Sequence, residues 1–401
     1  MIRPELLAPA GDLPRLKTAV HFGADAVYIG GKKFSLRSRA SNFDLADIEE
    51  GVRYAHSHQA KLYVTVNMIP HQEDLQGLHD YLRALDQIGV DAVIVASLYI
   101  AQVARQISQR MEVHLSTQQS SANIETLDFY KAMGVDRVVL ARECSLEDIT
   151  QIVEGQSMPI EVFIHGGMCV NVSGRCTLSN YMTLRDANRG GCAQSCRWKY
   201  FCLDENLQPV HDENTLFSMS SKDLNATVVL SDLIQRGVSS LKIEGRMKSE
   251  YYLATVVGAY RRLIDDLLFG KDEHESVERC NLELAKAENR ETFDGFFLNK
   301  PSAKGHLYDK NGTGITQEFL ATVISYDPLN QMATIEVRNH FSKGWLCEVF
   351  GPNTDHLQFA VTDIINSDQE LTDRVYKPME IVQIKIPFKV MPEDFIRKVR
   401  I

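Results

Sequence analysis

A chain of 401 residues with 44% hydrophobic content is long enough for one large domain and a small one, each with a core. Its 43 Lys and Arg against 53 Asp and Glu leave a formal charge of −10, which excludes a protein that coats nucleic acid non-specifically and leaves room for a local basic patch. No apolar run reaches the 18 or so residues that span a bilayer, and Met1 is not followed by a basic and apolar leader, so a cytoplasmic chain without a membrane partner is expected.

From Glu5 onward, apolar β-type runs alternate with amphipathic helical stretches. Strands are expected at Glu5–Ala8, Ala26–Ile29, Leu62–Val66, Ala92–Ala96, Glu112–Leu115, Arg137–Leu140, Ile160–Ile164 and Ser240–Ile243. Helices should start after Gly11-Asp12, after Asp44 and at Ser145, where Ser145-Leu146-Glu147-Asp148 makes a capping box. Repeated strand-helix units build a parallel sheet, and eight of them close a (β/α)8 TIM-like barrel over residues 1–270. Such barrels place their chemistry just past the C-terminal ends of the strands. Those positions carry Arg37, Asn67, Gln118, Arg142, Glu143, His165, Glu244 and Arg246. His165, Glu143 and Glu244 are the candidate acids and bases, and Arg37, Arg142 and Arg246 suit a dicarboxylate held by bidentate pairs, with Asn67 and Gln118 beside them.

Between the seventh and eighth strands the chain inserts about 70 residues (roughly 165–236), where two to six are usual. Cys169, Cys176, Cys192 and Cys196, half of the eight cysteines, fall in this stretch with the spacing C-x6-C-x15-C-x3-C. Disulfides do not suit the expected compartment, and structural zinc prefers paired knuckles of which only Cys192 and Cys196 come near. Four thiols on an irregular glycine-containing loop suit a 4Fe–4S cluster, but spacing alone leaves zinc open. Between Val170 and Tyr200, Arg175, Arg185, Arg189, Arg197 and Lys199 outnumber the single acid Asp186, with Tyr181, Trp198, Tyr200 and the following Phe201 among these cations. That mixture holds phosphates and stacks bases, although Trp198 and Phe201 also suit the core of an inserted subdomain. Cys144, Cys202, Cys280 and Cys347 lack partners at ligand spacing and read as buried structural thiols.

Residues 271–313 read as a charged and partly helical linker that packs on the barrel. Beyond it Phe319–Tyr326, Gln331–Val337, Trp345–Phe350, Leu357–Ile364 and Ile381–Ile386 are short strand-like runs separated by turns, which makes 314–401 a small C-terminal antiparallel β-barrel.

Several motifs together resemble the peptidase U32 family. They are Glu161-x-Phe163-x-x-Gly166, Met168-Cys169, Ser173-Gly174-x-Cys176, Leu178-Ser179-Asn180-Tyr181, Arg185 to Gly190 and Cys192-Ala193-Gln194-x-Cys196-Arg197-Trp198. Glu5 to Gly11, Lys242 to Arg246 and Gly295-Phe296-Phe297 extend the likeness over nearly the whole chain, and Gly167 departs from the Ser or Ala usual there. The resemblance implies a barrel fold, a 4Fe–4S cluster on the four clustered cysteines, and membership of the branch that hydroxylates tRNA. For that branch it implies 5-hydroxyuridine at the wobble position, prephenate as co-substrate, tRNA as partner, and either a partner U32 subunit or a homo-oligomer. Other branches hydroxylate 23S rRNA or a quinone precursor, and the family name itself implies a peptidase. The residues lend the peptidase little, since H-E-x-x-H, G-x-S-x-G and a Ser/His/Asp order are all missing.

Overall fold

Strands buried on both faces must be apolar throughout, and the expected runs become such strands in the computed structural model, which describes residues 3–36, 42–155, 158–210, 216–287, 290–307 and 318–399. β1 (Glu5–Pro9), β2 (Ala26–Gly30), β3 (Lys61–Val66), β4 (Ala92–Val95), β5 (Glu112–Leu115), β6 (Arg137–Val139) and β7 (Ile160–Gly167) pair in chain order, all parallel. β8 (Asp223–Asn225) lies antiparallel on the end of β7, and β9 (Ser240–Ile243) closes the ring by pairing parallel with both β7 and β1. The short β10 (Thr292–Phe293) runs beside β8.

Helices α1 (Leu13–His21), α2 (Leu45–Ser57), α3 (Leu78–Ile88), α4 (Leu98–Ile107), α5 (Ile124–Ala132) and α6 (Leu146–Gly155) follow the first six strands. Asp12, Asp44 and Asn123 accept from first-turn amides, and Ser145 and Asp148 bond reciprocally as the sequence predicts. Inside the insertion lies α7 (Leu178–Thr183). α8 (Leu230–Arg236) covers the wall before β9, and α9 (Glu250–Leu268) follows it with α10 (Glu273–Leu284) packed alongside. Thus β8 lies beside the closed ring and not in it, and α8 packs between α6 and α9 outside the wall.

The lower barrel interior is ionic. Arg137 pairs with Glu5 (2.5 Å) and Glu161 (3.4 Å), Lys242 donates to Glu161 (2.7 Å), and Ser240 and Tyr63 donate to Glu5. Burial pushes the Glu161 carboxyl up, yet Lys242 and Arg137 outweigh it and hold it below the usual carboxylate range.

The C-terminal domain is an eight-stranded antiparallel sheet around its own core of residues such as Leu320, Ile335, Val349 and Ile384. Phe395–Lys398, a strand not expected from sequence, sits within this sheet between 346–351 and 318–327. Phe350 and Phe395 reach out of it into the barrel core, meeting Phe22 at 5.9 and 5.4 Å between ring centroids. Cys144, Cys280 and Cys347 are buried as expected, while Cys202 is half-buried. Among the described residues no helix is long and apolar enough to cross a membrane.

Candidate active site at the barrel mouth

Alternation along the strands aims every second side chain inward, and the upper inward positions form the floor of a cavity of about 580 Å³. Lys242 lies 4.5 Å from the Tyr28 ring, and the Arg142 guanidinium lies 3.8 Å from the Phe163 ring. Arg142 also donates to the Gly167 carbonyl (2.6 Å) and faces Glu244 at 3.9 Å, and Glu244 accepts from the Tyr28 hydroxyl (3.2 Å). Arg246 is buried and donates to Ser35 Oγ (3.0 Å), Thr65 Oγ1 (3.3 Å) and Asn42 Oδ1 (2.7 Å). Gly30 makes room for it, since a Cβ there would collide with the guanidinium. Asn67 and Ser116 both donate to Gln118 Oε1, and at the cavity wall the buried Gln118 Nε2 and Arg142 Nε have no hydrogen-bond partner among the described residues. Unpaired buried donors suit an anionic or carbonyl-bearing ligand.

Asn67, Gln118, Arg142, Glu244 and Arg246 therefore line one cavity, and Arg37 lies outside the described residues. Lys242, Asp223, Lys248 and Arg290 also line the cavity. Lys242 was legible, two positions before Glu244 on the same strand face, whereas Asp223 follows a stretch without periodicity.

Two candidate acids stand elsewhere. Glu143 accepts from the Ser173 amide (2.8 Å) and hydroxyl (3.4 Å), tying the insertion to the rim. His165 is buried against α9, 3.3 Å from the Tyr260 hydroxyl, and is not among the described residues lining the cavity. Burial, with Lys248 nearby, pushes its pKa down to about 3, so the imidazole is neutral. A register shift between Phe163 and His165 moves it out of the inward set, and its partner becomes the outward Ile243.

The insertion folds over the mouth. At the end of β7, Gly166 has φ +100° and a Cβ there would collide with the Glu244 carbonyl. Arg189 pairs with Glu73 and Asp74 (2.8 Å each), and the Ile69 amide donates to the Asn188 carbonyl (3.0 Å), strapping the loop to the β3–α3 connection. Arg197 and Cys169 line the cavity, whereas Arg175 is exposed and Arg185 half-buried. Trp198 (41%), Phe201 (62%) and Tyr181 (84%) are exposed, so these aromatics are surface and not subdomain core.

The cysteine thiols share one neighbourhood. Burial pushes Cys196 up to about 11; Arg197 opposes this, while Cys169, Cys192 and Cys176 add to it. Cys176 Sγ accepts from Asn171 Nδ2 (3.1 Å) and the Leu178 amide (3.3 Å). Among the described residues no three His, Cys, Asp or Glu are grouped as ligands of a metal ion. The donor set nonetheless fits a group that takes four thiolates, since the sulfurs are soft ligands on one loop and one of them already accepts the N–H bonds that settle thiolate charge.

The model of peptidase family U32 matches residues 11–307, and that of the peptidase family U32 C-terminal domain matches 316–397. The chain belongs to peptidase family U32. This U32 chain is 43% identical over 400 residues to tRNA hydroxylation protein P1 of Bacillus subtilis, covering 99% of the chain and 95% of that protein. It is 41% identical over 266 residues to a 23S rRNA 5-hydroxycytidine synthase of Escherichia coli (66% of the chain, 40% of that protein). A collagenase of Porphyromonas gingivalis is 31% identical to the U32 chain over 405 residues (97% and 96%).

Proposed function

We propose that this protein hydroxylates tRNA, forming 5-hydroxyuridine at the wobble position with a 4Fe–4S cluster on Cys169, Cys176, Cys192 and Cys196 and with prephenate as co-substrate. The observation that carries the reading is the meeting of the four-cysteine loop with a cationic cavity. Cys169 shares that cavity with Arg142, Arg197, Lys242, Arg246, Lys248 and Arg290, against the acids Asp223 and Glu244. The full-length likeness to a tRNA hydroxylation protein supports tRNA over rRNA. A peptidase, the reading favoured by the collagenase relative, would need an activated nucleophile; the cysteine nearest the cavity is one of four clustered thiols, and His165 faces away from it.

When bound, the cluster supplies electron-transfer chemistry at the rim. The chain's own residues do the rest. Arg142 and Arg246 present donors to the two carboxylates of a dicarboxylate, and the unpaired Gln118 Nε2 offers a further donor. Exposed Trp198 and Tyr181 provide faces for bases stacked outside the mouth, from which one nucleotide is extruded inward.

Deleting the gene should remove a nucleoside heavier than uridine by one oxygen, or its derivatives, from digested tRNA, and the wild-type gene should restore it. An unchanged tRNA profile with a lost rRNA nucleoside, or with lost quinone hydroxylation, would move the assignment to another U32 branch. Unchanged profiles with metal-independent cleavage of collagen would return it to peptidase.

A further inference from the structure

We infer that Asp223 contacts the ligand of the mouth: as the carboxylate of a small anion arrives, the Asp223 carboxylate takes up a proton and donates it as a hydrogen bond to that anion. The inference rests on the anion-binding part of the proposed function and is independent of which RNA is modified. Asp223 opens β8, is 6% exposed, and lines the cavity. Its Oδ1 is buried and has no hydrogen-bond partner among the described residues. Arg290 Nη1 forms an ion pair with Oδ1 at 3.5 Å, too long for a well-formed hydrogen bond, while Nη2 of the same guanidinium donates to Ser220 Oγ and the Ser221 carbonyl, both at 2.6 Å. The backbone is fixed on both sides, since the Asp223 amide donates to the Glu291 carbonyl (3.0 Å) and the residue pairs with Gly167 across the β7–β8 ladder. A rigid, buried and unsatisfied oxygen at a cavity wall is a group placed for a ligand.

The charges around it come from every neighbouring element. Arg142 follows β6, Arg197 stands on the insertion, Glu244 and Lys248 follow β9, and Arg290 precedes β10; Lys222, the residue before Asp223, is paired with Glu291 (2.9 Å). Burial pushes the Asp223 carboxyl up, Lys248 and Arg197 pull it down, Glu244 pushes it up and Arg142 pulls it down; the outcome is upward. Glu244 differs, since it already accepts from Tyr28. An arriving carboxylate adds negative charge and pushes Asp223 further the same way. Between the ligand-free and ligand-bound pKa values binding therefore takes up a proton, and affinity falls as pH rises from the free value to the bound value.

Calorimetric titration of the full-length, cluster-loaded protein with prephenate, in buffers of different ionisation enthalpy, counts these protons. We expect about one proton or less per ligand for the wild type, retained uptake in Asp223→Glu, and binding without uptake in Asp223→Asn. Infrared spectra of the ligand-bound minus the ligand-free protein, recorded at the pH of greatest uptake, should show a protonated-carboxyl band in the wild type that Asp223→Asn removes. Equal uptake in wild type and Asp223→Asn, or no band that this substitution removes, overturns the inference. If prephenate does not bind, the co-substrate reading falls, and the same titration and spectra with malonate, a simple dicarboxylate, decide Asp223. If it binds with its proton while tRNA nucleosides are unchanged, the tRNA reading falls and Asp223 stands.

Discussion

Arg189 and Arg175 share one inserted loop but not one task. Arg189 is held by Glu73 and Asp74, whereas Arg175 is exposed. If this loop contacts RNA phosphates, Arg175→Ala should lower the slope of binding against salt by up to about one, as the loss of one phosphate contact requires. Arg189→Ala should leave that slope unchanged and instead speed amide exchange around Asn188, where the strap is released. A lowered slope for Arg189→Ala with unchanged exchange would give the phosphate contact to Arg189. Residue types at strand ends were readable in the sequence, so Arg142, Glu244 and Arg246 could be named as mouth residues. Where a side chain points was less readable. His165 continues the inward series of Glu161 and Phe163 in sequence, and only the local register shift turns it toward Tyr260.

The inserted segment is the element that separates metal hypotheses. Protein purified without oxygen should be brown with about four irons and four sulfides per chain. Changing Cys169, Cys176, Cys192 or Cys196 to Ala should abolish the colour, whereas Cys280→Ala, at a buried thiol on α10, should keep it. Stoichiometric zinc without iron after anaerobic reconstitution would sink the cluster. The barrel strands were legible as elements because burial on both faces demands unbroken apolar runs, and several helix starts because Asp44 and Ser145 carry their capping chemistry in the side chain. β8 and Phe395–Lys398 were not. The first is three residues long and begins with a buried acid, and the second carries Arg397 and Lys398 where a core-facing pattern would have apolar residues.

Arg397 shows why that last strand is charged. It is 1% exposed and donates to Glu283 of α10 (2.7 and 2.9 Å) and to Glu348 of the C-terminal sheet (3.0 and 3.2 Å), with Lys286 and His356 beside them. This cluster binds the two domains. Arg397→Ala should cost about 3–5 kcal/mol in denaturant unfolding by leaving buried carboxylates underpaired, and a loss under 1 kcal/mol would show the carboxylates to be compensated. Burial pushes Glu283 and Glu348 up, but Arg397 and His356 together hold both below the usual carboxylate range. Depressed folded pKa values contribute fully above the unfolded value of about 4.3 and are lost as pH falls through the folded ones, so the interface should loosen in acid below about pH 4. The barrel's closure has a consequence for biosynthesis. β9 begins at Ser240, while its neighbour β7 ends at Gly167, so the ribosome must deliver the whole cysteine segment before the ring can shut. At about 5 to 20 residues per second that interval lasts roughly 4 to 15 s. During it β1 and β7 are bare sheet edges, exposed to pairing with other nascent chains, and the cysteine loop has left the ribosome while the barrel beneath it is still open.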